Sequence, residues 1–143
     1  MRRAFTLLEI LAALVVSLIL ALVGTLTYST LKDSIADRDA KNSVERVLTA
    51  ERNWAARNGS WTQDPNELTG TQGLTVTAGA STEPGIVSIS TQDGLELGVA
   101  TLSESGTCLA AYAADPLVGS GFRWVEMPST QPCSGQVAVL SEG

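Results

Sequence analysis

The first part of the chain has the hydrophobic pattern of one long helix. No charged residue occurs from Ile10 to Leu31, and 22 helical positions at about 1.5 Å each are enough to cross the hydrocarbon core of a membrane. Apolar residues then continue at helical spacing, no proline interrupts residues 5–57, and Asn58-Gly59 is a helix-stop signal. We therefore predict one helix of about 53 residues, apolar over 5–31 and amphipathic over 32–59.

Beyond Gly70 the pattern changes to short apolar or alternating runs separated by turn residues, which is typical of an antiparallel sheet. Asp93-Gly94 is the strongest two-residue hairpin signal in this part. Leu95, Leu97 and Val99 share one strand face, which we expect to pack on the amphipathic part of the helix. The predicted strands are Leu74 to Ala78, Ile86 to Thr91, Leu95 to Leu102, Thr107 to Ala113, Phe122 to Met127 and Gln136 to Leu140.

Composition narrows the possible functions. The 143 residues make about one domain, and the absence of histidine excludes Ser-His-Asp triads, Cys-His pairs and His-ligated metal sites. Residues 58–143 contain 9 acidic side chains and one basic side chain, Arg123, and such a charge repels phosphate backbones. We expect a protein that is not an enzyme, holds no metal or cofactor, and does not bind nucleic acid directly.

The ends of the apolar segment predict its orientation and the state of the two cysteines. Arg2 and Arg3 precede the segment, so the positive-inside rule keeps the N-terminus cytoplasmic and the remainder extracytoplasmic. Cys108 and Cys133 then lie in a compartment where disulfides form and persist. We predict a bridge between them, which stabilises the fold by about 3 to 3.5 kcal/mol in the chain-entropy model.

Glu9 lies at the start of the apolar segment, where a carboxylate is unfavourable by about 2.5 to 3.5 kcal/mol on insertion scales. Two interpretations are open. Either the side chain extends to the edge of the bilayer, or it has a functional partner within the membrane or an assembly.

The context of this glutamate carries a resemblance. Ala4-Phe5-Thr6-Leu7-Leu8-Glu9, after a short basic leader and before an apolar helix, resembles the prepilin signal of type IV pilins and pseudopilins. The resemblance implies cleavage between Ala4 and Phe5 by a prepilin peptidase, with removal of leader 1–4 and methylation of the new Phe5 amine. It also implies that Glu9 meets the N-terminal amine of a neighbouring subunit in a filament. The family usually has Gly where this chain has Ala4.

The implied fold is α+β, the type IV pilin-like lollipop, in which a long N-terminal helix packs against an antiparallel sheet. Segment 50–68 resembles the helix end and αβ-loop of pilins, which places that loop at 60–73 and a β head with a C-terminal disulfide loop at 74–143. The implied location is the cytoplasmic membrane, as a single-pass protein with an extracytoplasmic head, and then an extracellular pilus or a periplasmic pseudopilus. The implied partners are copies of itself or other pilins, the prepilin peptidase, the inner-membrane assembly machinery, and membrane lipid before assembly.

Three functions remain open at this point. The first is a major or minor pilin, a structural subunit of a type IV pilus-like filament. The second is a pseudopilin of a type II secretion or DNA-uptake system, because these proteins share the N-terminal motif. The third, from another class, is a single-pass membrane or secreted binding module in which the motif is coincidental.

Overall fold

The structure is a computed structural model that describes residues 6–116, 121–127 and 132–140. Residue contacts divide the chain into an N-terminal unit, Met1–Ser34, and a C-terminal unit, Ile35–Gly143. The elements are α1 (Leu7–Asn58), a 3-10 helix (Pro65–Glu67), β1 (Thr75–Thr77), β2 (Ile86–Gln92), β3 (Glu96–Leu102), β4 (Cys108–Ala113), β5 (Arg123–Glu126) and α2 (Gly135–Leu140).

Helix α1 confirms the predicted long helix and its C-terminal stop. It contains 52 residues and continues through Gly24 without a break. At its end the Asn58 side-chain amide donates to the Trp54 carbonyl at 3.0 Å, and Gly59 follows with a φ of 77°. This left-handed conformation favours glycine and ends the helix at the predicted position.

The predicted α+β class is confirmed, but the sheet is mixed and not antiparallel. Its strand order is β1-β2-β3-β4-β5, and β2 to β5 pair antiparallel as predicted. Strand β1 instead runs parallel to β2, with Thr75 opposite Ile86. The reason lies in Ser81, whose N–H donates to the Cys133 carbonyl and whose hydroxyl donates to Ile86 O at 2.7 Å. These bonds hold the segment between β1 and β2 across the end of the sheet. The chain therefore enters β2 in the same direction as β1, and the two strands form no hairpin.

The prediction of a sixth strand over Gln136 to Leu140 is wrong, because this segment lies in α2. Gly135, Ala138 and Val139 are buried, the i, i+3, i+4 pattern of a helix face. The backbone of Gly135 approaches Gly98 of β3 so closely that an added Cβ on Gly98 would lie 1.9 Å from the Gly135 carbonyl oxygen. The two glycines therefore bring α2 onto the sheet, where it packs as a helix.

The C-terminal unit buries apolar side chains on both faces of its sheet. On one face Leu97 and Val99 pack with helix residues Val44, Val47 and Leu48, as predicted, whereas Leu95 precedes β3 and is half exposed. The other face packs against α2. The buried residues of this second cluster are Ala100, Ala110, Tyr112, Val125, Cys133, Ala138 and Val139.

The predicted hairpin between β2 and β3 is present. Asp93 and Gly94 have φ values of 54° and 70°, so both central residues adopt the left-handed conformation that a tight hairpin turn of this kind requires. The turn sets the register in which Val87 and Ile89 of β2 face the same core as Val99 of β3.

Candidate functional site

The first part of α1 presents apolar side chains to its surroundings on all sides. It is the one helix in the described part of the chain that is long and apolar enough to cross a membrane, and none of its most apolar window is buried. The large exposed side chains include Leu7, Leu8, Ile10, Leu11, Leu14, Val15, Val16, Leu18, Ile19, Leu20, Leu22, Val23, Tyr28 and Leu31. A helix that is apolar all round needs lipid or other helices to cover it.

The side chain of Glu9 closes the N-terminus of α1. Its Oε2 accepts hydrogen bonds from the Thr6 N–H at 3.0 Å and the Thr6 hydroxyl at 3.1 Å, and the Glu9 N–H points back to Thr6 Oγ1 at 3.4 Å. This reciprocal arrangement is a capping box, with Thr6 as N-cap and Glu9 three residues later. The predicted cleavage and methylation residues, Ala4 and Phe5, lie outside the described residues.

This local role of Glu9 was missed in the sequence analysis, although a signal for it exists. Thr6-Leu7-Leu8-Glu9 matches the Ser/Thr-x-x-Glu pattern that precedes an apolar helix. Both Thr6 donors bond to Oε2, and a carboxylate has acceptor capacity on both oxygens. The Oε1 atom of Glu9 can therefore accept a further donor while the cap is intact.

The predicted disulfide between Cys108 and Cys133 is present, with the Cα atoms 5.6 Å apart. It joins the start of β4 to the segment just before α2, and Cys133 belongs to the buried cluster beneath that helix. The carbonyl of Cys133 also accepts the Ser81 N–H at 2.7 Å. The bridge therefore fixes both α2 and the connection between β1 and β2 to the sheet.

A buried carboxyl joins α1 to the loop that follows it. Glu51 is completely buried, and its Oε2 accepts the Thr62 N–H at 3.1 Å. The Thr62 hydroxyl in turn donates to Glu67 Oε2 at 2.6 Å and accepts the Asp64 N–H at 3.1 Å. These residues form the Glu51–Thr62–Glu67 cluster, which ties the loop and its 3-10 helix to the long helix.

Burial changes the acidity of this cluster. The pKa of Glu51 is raised from 4.5 to about 7, mainly because the ionised form loses its hydration inside the protein. The hydrogen bond from Thr62 lowers the pKa, and the nearby Glu67 carboxylate raises it. Glu51 was not among the residues predicted from the sequence to have a role. The helical pattern offered a signal, because Glu51 lies four residues after Val47 and four before Ala55, both on the buried face.

Trp61 and Trp54 pack between the helix, the loop and the sheet. Trp61 is buried in the core, and its Nε1 lies within hydrogen-bonding distance of the Leu95 carbonyl at 3.1 Å and the Ala114 carbonyl at 3.3 Å. Trp54 is partly buried against the same core. Packing therefore explains both tryptophan side chains, and no ligand is needed to account for them.

A shallow groove of about 300 Å³ lies between α1 and β5. The Arg52 guanidinium stacks over the Phe122 ring at 3.9 Å, and the Lys41 ammonium lies 4.9 Å from the centre of the Trp124 ring. These cation–aromatic contacts attach the exposed face of the helix to the sheet edge. Phe122, just before β5, and Trp124, within it, both line this groove, as alternation along an extended segment allows.

Over residues 6–116, 121–127 and 132–140, no three His, Cys, Asp or Glu side chains come together in a group that could hold a metal ion. Comparison of the chain with known protein families, curated proteins and solved structures gives no match. The candidate site for function is thus the apolar first part of α1 with its capped N-terminus, and the Glu51–Thr62–Glu67 cluster is a second chemically distinctive feature.

Proposed function

We propose that this chain is a structural subunit, a major or minor pilin, of a type IV pilus-like filament. The observation that carries the proposal is the exposed apolar surface of α1 over residues 7–24 and 28–31, and Glu9 is the only charged residue in the sequence from Leu7 to Leu31. Lipid covers this surface while the subunit is a single-pass protein of the cytoplasmic membrane with an extracytoplasmic C-terminal unit. Helices of other copies cover it in the filament.

Charge neutralisation explains why a carboxylate lies at the start of such a helix. An unpaired carboxylate in an apolar bundle is costly, so Glu9 needs a cationic partner. The prepilin-like residues Ala4 to Glu9 supply one: cleavage before Phe5 creates an α-amine, which remains basic after methylation. Removal of Arg2 and Arg3 with the leader also makes departure from the bilayer easier. In this proposal Glu9 holds Thr6 through Oε2 and receives a neighbour's amine on Oε1.

Two alternatives predict different observations. A pseudopilin of a type II secretion or DNA-uptake system shares the same processing and helix assembly but forms a periplasmic filament. A single-pass membrane or secreted binding module is not processed at Ala4-Phe5. Imaging of cell-surface filaments from cells with and without this chain distinguishes a pilin from a pseudopilin. Deletion of a pilin should remove or alter the surface filaments, whereas deletion of a pseudopilin should not.

The mass of the protein isolated from cells tests processing. We expect loss of residues 1–4 and a methylated Phe5. An intact start, or a start near residue 25, contradicts the proposal and supports a binding module. Phe5→Glu should leave the full-length precursor in the inner membrane, whereas Ala4→Gly should be processed at least as well as the natural sequence because it restores the residue usual in the family.

Assembly is tested by separating the charge of Glu9 from its capping role. Glu9→Gln keeps a capping-box acceptor but cannot neutralise an amine, so it should insert normally and fail to assemble when it is the only copy. Thr6→Ala is the matched control, since it removes the cap, at about 1 kcal/mol, and leaves the carboxylate. Thr6→Ala should still form filaments. Normal filament yield from Glu9→Gln, at normal subunit level in the membrane, would refute the proposed pairing.

A further inference from the structure

Glu51 has an incomplete set of hydrogen bonds at a completely buried position. Its Oε2 accepts the Thr62 N–H, whereas its Oε1 has no hydrogen-bond partner among the described residues. A buried ionised carboxylate normally needs several donors or a cation, because it has lost its hydration. A single backbone donor is poor compensation for a full negative charge, whereas burial of a neutral carboxyl group costs much less, even with its O–H unpaired.

The groups around Glu51 do not compensate for a negative charge on its carboxylate. From the loop, the facing titratable group is Glu67, whose carboxylate raises the pKa of Glu51. On its own helix the neighbouring Arg52 is exposed and stacks over Phe122. The sheet side of the core contributes apolar side chains, namely Val87, Ile89, Leu97, Val99, Ala111 and Ala113. Within the described residues, no cation contributes to the pKa shift of Glu51.

The same carboxyl is the main polar tie between α1 and the start of the loop. Thr62 is held by Glu51 through its N–H and by Glu67 through its hydroxyl, and the hydroxyl also accepts the Asp64 N–H, which leads into the 3-10 helix. Two acidic side chains thus converge on one threonine. Ionisation of both places two like charges next to the same residue, which favours their separation.

We propose that the Glu51 carboxyl is a proton-operated latch for loop segment 62–68. When Glu51 is protonated, its neutral carboxyl accepts the Thr62 N–H and the segment stays on the helix. When Glu51 loses its proton to solvent, the segment is favoured to open, because the buried charge lacks hydration and is repelled by Glu67. Opening exposes the carboxylate to water. The latch belongs to the C-terminal unit alone and does not depend on filament assembly.

The pH range of the latch lies near neutrality, because the pKa of Glu51 is about 7 in the folded protein. Trp61 stays anchored, since its ring is buried and its own backbone N–H bonds to the Gly94 carbonyl at 3.0 Å. The opening therefore begins at Thr62 and ends near Leu68, which is buried in the closed form. The strands of the sheet should not take part.

Hydrogen exchange of the full chain in detergent micelles, corrected at each pH for intrinsic exchange, tests the latch. Between about pH 5 and pH 8 we expect the protection of amides in segment 62–68 to fall by about tenfold or more, since each unit of pKa shift corresponds to a factor of ten. Amides of β3 and β4 serve as the internal control and should keep their protection. Unchanged protection of the segment across this range would overturn the proposal.

Two isosteric variants identify the group responsible. Glu51→Gln should make the protection of segment 62–68 independent of pH, because it accepts the Thr62 N–H without ionising. Glu67→Gln should keep the pH dependence but move its midpoint to lower pH, because the repulsion that favours protonation of Glu51 is gone. The same pH dependence in Glu51→Gln as in the natural protein contradicts the proposal. If Glu51→Gln folds poorly, an unmoved midpoint in Glu67→Gln contradicts it equally.

Discussion

Helix α1 contains two stretches that share a secondary structure and differ in what covers their apolar side chains. In the N-terminal unit Leu14 is 61% exposed, and its apolar neighbours on every side of the helix are exposed as well. In the C-terminal unit Val47 is 0% exposed, and the apolar residues form one buried face against the sheet. The first stretch is apolar all round, whereas the second is apolar on one side only.

The difference shows that helical propensity and burial are separate properties of this chain. The second stretch is stabilised by packing that its own unit supplies, and its exposed side carries charged residues such as Glu45 and Arg46. The first stretch requires an environment that the described chain does not contain, either lipid or other helices. A substitution that leaves the stability of the C-terminal unit unchanged when made in the first stretch should therefore lower that stability when made in the second.

The largest contrast in stability is expected between a glycine of the C-terminal unit, Gly98 in β3, and a glycine of the first stretch of α1, Gly24. Gly98→Ala should destabilise the C-terminal unit by about 3 kcal/mol or more, because the new methyl group overlaps the backbone of Gly135 and displaces α2. Gly24→Ala places its methyl group where no atom beyond the adjacent backbone of its own helix lies within 4 Å, and it improves helix propensity by about 1 kcal/mol. Thermal unfolding of the full chain in micelles checks both, and a Gly98→Ala protein as stable as the natural one would contradict the tight contact.

The disulfide should contribute a similar amount, and only to the C-terminal unit. Cys133→Ser opens a loop with a sequence separation of 25, which costs about 3.5 kcal/mol in the chain-entropy model and lowers the melting temperature by well over 4 °C. Reduction of the natural protein is the control and should reproduce the loss, while membrane insertion of the first stretch stays normal. Stoichiometric alkylation of the folded, unreduced protein would show instead that the thiols are free.

The stability of the C-terminal unit should depend on pH through Glu51. Because its pKa is raised from 4.5 to about 7 on folding, the folded state binds the proton more tightly. The resulting stabilisation is complete below about pH 4.5 and is lost as the pH rises to about 7, at most about 3 kcal/mol in total. Denaturant unfolding at several pH values measures this slope, which Glu51→Gln should flatten. An equal slope in that variant would assign the effect to another group.

The smallest contrast compares the same substitution in the two stretches of α1. Val47→Ala should destabilise the C-terminal unit by about 2 kcal/mol, since it removes buried methyl groups and leaves a small cavity. Val16→Ala removes the same atoms from a side chain that is 56% exposed and should leave the unfolding of the C-terminal unit unchanged. Equal effects on the unfolding midpoint would mean that the two stretches are not packed as differently as their exposures indicate.

Much of the fold follows from local patterns. The long helix, its end at Asn58, five of the six predicted strands and the Asp93-Gly94 turn depend on residues close together in the chain, and all are present. The Cys108–Cys133 pair was predictable for another reason, because the two cysteines of the chain allow one internal pairing. The capping role of Glu9 was equally local and could have been predicted from Thr6.

The features that could not be predicted depend on contacts between distant residues. The run Gln136 to Leu140 fits both a strand and a helix by its spacing, and the approach of Gly135 to Gly98 decides for the helix. Strand β1 is parallel to β2 because Ser81 bonds to the Cys133 carbonyl, far away in sequence.

The sequence by itself determined where the helix and most of the strands begin and end, because hydrophobic periodicity and turn residues act over a few neighbouring positions. Only the tertiary structure decided the direction of β1, the helical state of α2 and the burial of Glu51. Each of these results from the close approach of segments that are remote in the chain, and the free energy of such a contact depends on both partners at once. The amphipathic pattern around Glu51 marks its side of the helix, but only the loop that returns through Thr62 covers its carboxyl and raises its pKa.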